Sequence, residues 1–471
     1  MIGAIAVVSD LAAAPRALPT GEPFSIEPVV LVPIDDQSAL SIVGIRGLVT
    51  ISMRDARELQ VISLVPGVGG AELPVGIWQE GAKLIVAPVP GDPGRERRLD
   101  IEVPRGFAIS VDAADSDVQI ASEGGSVELS GDNVRALVQA IGGSVTTELL
   151  AGTLSVTNSK DATVRVRGTA TTIGAMAGSV NVRATGGTLK VAEVDGSTDV
   201  DSEDCTLVFS ELSGPLHVKA QKGQATVAGI KAGAELALAG TPLQLKAGKG
   251  NITVTSDATV VFEAMAASMH FDMFGGSLKG KGNDGILELR GRNTELNVES
   301  ITGGMRVQGD GITTRIVDVG EELQLDTTSS DIVVDRAERV VLKADGGNVT
   351  IQRATGAVSA KVVGADVHIL DGSGSVNLEL ERGDGEVSWT SFSGDKDSIL
   401  ANKNGNLTVR FPASGGCRVE AKSKDGRIDS DLPTVRVMDD ETEAQGPVNG
   451  GYRPIVHINA TGDIHLLHGG S

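Results

Sequence analysis

The chain has 471 residues, 61 of them glycine, with aromatics at 2% and hydrophobic residues at 40%. So few rings exclude a large globular core built on Phe, Tyr and Trp, and the apolar fraction excludes a disordered chain. A formal net charge of -21 argues against nucleic acid and anionic membrane surfaces as partners, since both need clustered Lys and Arg. The plain reading of that charge is solubility through self-repulsion, with cation binding or a basic partner as the other.

In chain order, residues 1–36 are expected to be extended or poorly ordered. They open on MIGAIAVVSDLAAAPRA. This has the short apolar run of a signal peptide, but no Lys or Arg precedes the run and Asp10 interrupts it. Residues 37–116 read as an N-terminal β cap. Alternating strands start at Leu40, Leu48, Leu59, Lys83 and Leu99, and loops are expected at Pro66–Gly70 and Pro88–Gly94. Residues 117–411 carry a repeat, described below. Residues 412–471 read as a C-terminal β cap, with strands from Cys417, Ile455 and Asp463 and an acidic surface loop from Asp439 to Pro447. No long amphipathic helix is evident, and no apolar run approaches the ~20 residues of a transmembrane helix.

The repeat has a nine-residue beat. It runs Gly178-x-Val180-x-Val182, Gly187-x-Leu189-x-Val191, Gly196-x-Thr198-x-Val200, Cys205-x-Leu207-x-Phe209, Gly214-x-Leu216-x-Val218 and Gly223-x-Ala225-x-Val227. One residue is dropped near 258, after which the beat resumes at Met269 and Phe271. Apolar residues two apart mark one buried face of a short strand, with Asn181, Lys190, Asp199 and His217 facing out. The small residue before each strand suits a tight turn with positive φ. Each unit buries too little alone, so successive units must wind into a coil.

A second period sets the coil length. Seven residues after each beat, Met176, Val194, Leu212 and Ile230 are apolar, while Thr185, Glu203 and Gln221 are polar. Downstream, Ile301, Val319, Ala337 and Ala354 alternate with Asp310, Thr328 and Asp345; Gly248, Asn283 and Val363 break the pattern. A period of eighteen predicts two strands per turn in a flattened, two-sided parallel β-solenoid. About 16 coils fit, each advancing ~4.8 Å.

Three features resemble the bacterial adhesin-like family, a domain of unknown function. They are the leading strand Ile101-Glu-Val-Pro-Arg-Gly-Phe-Ala-Ile-Ser-Val, the Gly-x-Val-x-Val run, and the closing segments from Phe411-Pro-Ala-Ser to Ile458-Asn-Ala-Thr-Gly-Asp-Ile-His-Leu. The likeness covers about 40 to 471. It implies a right-handed solenoid, no established catalytic site, and a place at the cell envelope or outside the cell. The chain departs from the family in lacking a clear signal peptide or lipoprotein cysteine, which taken at face value points to the cytoplasm.

No constellation of catalytic, cofactor-binding or metal-ligating residues stands out, so none is assigned. The expectation is a non-enzymatic scaffold or interaction rod with a protein or surface partner, able to associate with itself end to end or side by side. Two alternatives stay open. A carbohydrate-active enzyme needs converging carboxylates and aromatic platforms, but Asp195, Asp201, Glu203, Asp204, Asp284 and Asp310 read as scattered turn acids. Only Trp78, Trp389 and Tyr452 could supply large amphipathic rings. A calcium-binding solenoid needs Asp at a recurring turn position, and Gly383-Asp384-Gly385 stands alone. His457, His465 and His468 cluster in sequence, and His457 and His465 could approach one another. Cys205 and Cys417 lie too far apart in sequence to suggest a disulfide framework, and Cys205 takes a glycine position as a small turn residue. Gly124-Gly125 and Gly346-Gly347 are turns, with no Lys-Ser/Thr or helix after them to make phosphate loops.

Overall fold

A computed structural model describes residues 18–469, apart from 21, 24, 28, 35–37, 56, 66–73 and 90–94. The opening apolar run, the Pro66–Gly70 loop and most of the Pro88–Gly94 loop lie outside these residues. The described residues are all β, and the chain divides into two compact units, Met1–Ala237 and Leu238–Ser471.

In the first unit the strands Ala108–Glu123, Val127–Ile141, Ser144–Thr157, Asp161–Met176, Val180–Val194, Thr198–Leu212 and Leu216–Ala228 each pair in parallel with the next. Val182 pairs with Val200, and Val200 with Val218. Val191 pairs with Phe209, which rules out a 27-residue coil. Between Val145 and Ala162 the step shortens to seventeen, a slip the beat did not reveal. Val180, Val182, Leu189, Val191, Leu216 and Val218 all point into the core and are at most 2% exposed.

The strands are longer than the short ones expected, at 13 to 16 residues, because hydrogen bonding runs on through one of the two corners. There a left-handed residue drops out of register and bends the chain, followed in three coils by a second left-handed residue, Gly152, Gly187 or Gly223. In successive coils the residue that drops out is Asp115, Asn133, Ala151, Gly168, Gly186, Asp204 and Lys222. The pairs on either side stay aligned, as Ala114 with Asp132 and Ser116 with Val134 show. The other corner has its own left-handed series: Asn158, Ala175, Glu193, Glu211 and Gly229. Positive φ is therefore not confined to glycine here.

The small residue every ninth position has two causes that alternate. Gly187 and Gly223 are left-handed, and a Cβ on either would also strike the backbone of the coil below. Gly196 and Gly214 need no unusual φ. A Cβ on Gly214 would lie 2.0 Å from the Gly196 carbonyl oxygen, so only hydrogen fits between coils. Cys205 pairs with Gly223, and its thiol donates to the Glu203 carbonyl at 3.2 Å. Thr169, at the equivalent position two coils earlier, closes the same loop onto Arg167 at 3.0 Å. A short donor thus replaces glycine by bonding the carbonyl two residues back. The eighteen-residue alternation is the difference between the corners: Met176, Val194, Leu212 and Ile230 are buried, while Thr185, Glu203 and Gln221 stay partly exposed.

At its N-terminal end this unit departs from chain order. Ala39–Arg54 stacks in parallel on Ala108–Glu123. Its outer side is covered by Lys83–Pro88 on one arm and Arg97–Pro104 on the other. Antiparallel strands then close both arms: Val75–Glu80 and Ser25–Glu27 on the first, Glu58–Leu64 and Val29–Pro33 on the second.

In the second unit the register from Leu243 to Val260 is seventeen, which places the dropped residue where the beat expected it. Steps of eighteen then dominate, from Thr259–Ser277 to Val367–Gly385. The inward corner column runs Met265, Asn283, Ile301, Val319, Ala337. Asn283 is fully buried there and tolerable because its amide donates to the Gly285 carbonyl at 2.8 Å. Phe262 rests on Gly280, where a Cβ would come within 2.1 Å of the ring. One later coil lengthens to twenty-two residues, Gly385 pairing with Leu407. Trp389 fills that coil, donating to the Gly374 carbonyl at 2.9 Å and stacking on Phe411.

The end of this unit also breaks chain order. Ile455–Ala460 and Ile464–His468 insert between the coil of Ser398–Phe411 and the coil of Cys417–Ser430. The acidic segment expected as a loop is one only in part: Glu443–Val448 is a strand, antiparallel to Cys417–Ser423 and to Arg436–Val437. The outermost coil has no further coil to bond it, and this strand supplies the missing partner.

Two stability contrasts follow from this geometry. Val218→Asp should cost about 4 kcal/mol in urea unfolding, because an unpaired carboxylate enters the core, and Lys219→Gln on the outer face less than ~0.5 kcal/mol. Gly214→Ala should cost about 3 kcal/mol through coil separation, and Gly142→Ala, left-handed but with open space around it, about 1 kcal/mol. Equal losses within either pair would contradict the inward assignment or the coil-contact assignment respectively.

Candidate functional surface

Most acids singled out by the sequence serve the scaffold. In the second unit, side-chain oxygens form a ladder up one corner. Asp366 accepts the Asp384 amide at 2.9 Å, Asp384 the Asn406 amide at 2.8 Å, Asn406 the Asp463 amide at 2.9 Å, and Asp463 the Arg427 amide at 2.8 Å. The order follows space, not sequence. Gly383-Asp384-Gly385 is one rung of it. Asp284 accepts from the Thr302 hydroxyl at 3.1 Å, and Asp310 from Thr328 at 2.7 Å. Asp204 is a left-handed corner residue and Asp195 is exposed. Asp201 and Glu203, expected in turns, stand on a strand, in register with Arg183 and Thr185. Among the described residues no three His, Cys, Asp or Glu side chains converge as a metal site would require.

Five of the six histidines stand beside a carboxylate one coil away. The pairs are His217 with Asp199 at 3.0 Å, His270 with Glu288 at 3.3 Å, His368 with Glu386 at 3.2 Å, His457 with Glu420 at 3.3 Å and His465 with Asp429 at 3.7 Å. His457 and His465 occupy different arms of one coil and take separate partners, so the expected approach of the two does not bring them into one site. Partial burial pushes Glu386 up, but hydrogen bonds shared with Arg410 and His368 outweigh it and hold the carboxyl below its usual range.

Of the three large amphipathic rings, Trp78 is buried against Val43, Ile85 and Ala87, Trp389 is buried against Phe411, and only Tyr452 is largely exposed. The two thiols are also buried. Desolvation raises Cys205 from an ordinary value near 9 to about 11, against two backbone hydrogen bonds that lower it, and raises Cys417 to about 12.

One stretch of outer face on the first unit is built entirely of polar side chains over a buried apolar floor. A cleft of about 280 Å³ crosses four coils there, lined by Thr163 and Arg165, Asn181 and Arg183, Asp199 and Asp201, and His217 and Lys219. The strands place these in two columns, Thr163-Asn181-Asp199-His217 and Arg165-Arg183-Asp201-Lys219. The floor is backbone over buried Val182 and Val200. Arg183 pairs with Asp201 at 3.6 Å, while Arg165 and Lys219 form no ion pair among the described residues. Reading the sequence by strand faces identified Asn181, Asp199 and His217 as outward, but did not assemble the site. The signal was there in the outward positions at spacing eighteen, where Arg165 and Arg183 coincide.

No protein-family model matches the chain, and no curated protein does. A solved structure described as a "putative cell adhesion protein" from Clostridium sporogenes ATCC 15579 aligns with 94% of this chain and 99% of its own length. Its identity is 8% and its TM-score 0.13, so the likeness carries no argument.

The thiol environments make a direct prediction. At pH 8 both cysteines should react with a disulfide reagent at least roughly tenfold more slowly in the folded chain than in urea. Because their folded values are raised, the stability they contribute is complete below pH 9 and falls as the pH climbs through about 11 and 12. Fast labelling of the native protein at pH 8 would contradict the burial of both sulfurs.

Proposed function

We propose that the chain is a non-enzymatic interaction module whose outer faces bind an extended partner. The observation that carries this reading is the in-register polar face. Side chains repeat from coil to coil in straight columns, and the cleft they frame is open and shallow. Such a face contacts a partner over many coils, as repeat proteins do with their extended surfaces. The corner acids already accept backbone amides or threonine hydroxyls, and two of the three large rings are committed to the core. Those groups are spent on folding and are poorly placed for the converging acid–base chemistry of glycoside cleavage.

Incubation of the full chain with a panel of acidic and neutral polysaccharides should release no unsaturated or shortened sugars. Turnover abolished by changing Asp199 or Asp201 would replace this reading with the carbohydrate-active one. Melting in EDTA and in excess Ca²⁺ should agree closely. A calcium-dependent rise in Tm above ~10 °C would favour the calcium-binding alternative instead.

A further inference from the structure

We propose that the cleft on the first unit recognises an anionic polysaccharide, with Arg165 and Arg183 holding a carboxylate or sulfate and Asp199 and Asp201 accepting from neighbouring sugar hydroxyls. The inference rests on the interaction-module reading and names its partner.

The first observation is an arrangement that folding does not favour. Arg165 and Arg183 are directly opposite one another on neighbouring parallel strands, and both are exposed. Like charges so placed destabilise a sheet. Directly opposed positions elsewhere hold opposite charges, as in Lys281–Glu299, Arg339–Glu322 and Lys361–Glu379, and where Lys343 faces Lys361 each lysine is paired with an acid of its own, Asp326 and Glu379. Glu148 lies in register on the other side of Arg165, yet the two form no ion pair. In a chain of net charge -21, two stacked guanidiniums with one left unpaired form a local reversal of sign.

The second observation is the company they keep. Thr163 and Asn181 stand two residues before the arginines on the same face and offer further hydrogen bonds. Guanidinium forks suit the flat or tetrahedral oxygens of carboxylate and sulfate. Arg183 meets Asp201 at 3.6 Å, too long for a charge-assisted hydrogen bond, so its donors can turn to a ligand. On the far side of the cleft, Asp199 and Asp201 are acceptors that would repel a purely anionic chain but suit hydroxyls.

The third observation selects the class of polymer. The exposed side chains of the cleft are all polar, and its only apolar residues, Val182 and Val200, are buried beneath the backbone. A protein partner would draw most of its affinity from aromatic and apolar anchors, for which this cleft has no counterpart. An acidic saccharide asks for the alternation of cation, amide, hydroxyl and carboxylate found here.

Calorimetric titration of the full chain with polygalacturonate and with dextran sulfate tests the proposal, the two arms separating carboxylate from sulfate. Binding to at least one is expected, weakening with added salt. R165Q/R183Q should weaken it at least tenfold, and R315Q, an exposed cation of the second unit, by less than twofold. The double variant should melt no lower than the parent, because a like-charge pair is removed. If it does melt lower, the single variants R165Q and R183Q should each still weaken binding threefold or more. The proposal is overturned if neither polymer binds, if unmodified dextran or polyglutamate binds as tightly, or if R315Q matches the double variant. Absence of binding without turnover would leave the module reading intact, whereas turnover of either polymer would overturn the module reading itself.

Discussion

Each coil of either unit is bonded along its length to the coil beside it, so a residue rests on the residue one coil away. That in-register contact is the constraint from which the other features follow. It makes the core a set of columns, such as Val182-Val200-Val218, in which each side chain is buried by its equivalents. It also makes size a shared property. Phe262 is possible because Gly280 lies over it, and Gly214 is required because Gly196 lies beneath it. A core this thin cannot absorb an error by distant repacking, since every position has a fixed neighbour above and below.

Polar chemistry obeys the same contact. A carboxylate at a corner sits where the next coil presents an amide, and the ladder from Asp366 to Asp463 satisfies one backbone group per step. On the faces, Lys or Arg beside Asp or Glu one coil away forms ion pairs that are individually worth little in water. Their collective effect is to keep a strongly acidic chain from lining up like charges. Against that pattern Arg165 and Arg183 stand out as a stacked cation pair in which Arg165 has no acid paired with it among the described residues, whereas the stacked Lys343 and Lys361 each pair with one. Departure from a rule obeyed elsewhere in the same molecule is a stronger pointer to function than charge alone.

The candidate surface was only partly legible in the sequence. Period two told which residues face outward, so Asn181, Asp199 and His217 could be assigned to the surface. Asp201 was misread as a turn residue because the strand continues past the position where a short nine-residue unit would end. The cleft itself depends on which outward residues become neighbours across coils, and a slip of one residue, as between Val145 and Ala162, changes every such neighbour.

The sequence by itself determined the all-β class, the inward and outward residues, and the eighteen-residue coil. These are local periodicities, set by strand geometry and by the steric demand for small residues where coils touch. Tertiary structure alone decided how the ends are built. Ala39–Arg54 and Ile455–His468 both slot between a regular coil and strands that are not their immediate neighbours in sequence. Any strand with one apolar face and a free edge could fill such a slot. The choice depends on which edges remain unpaired after the repeat has stacked, a property of the assembled sheet that no single strand carries.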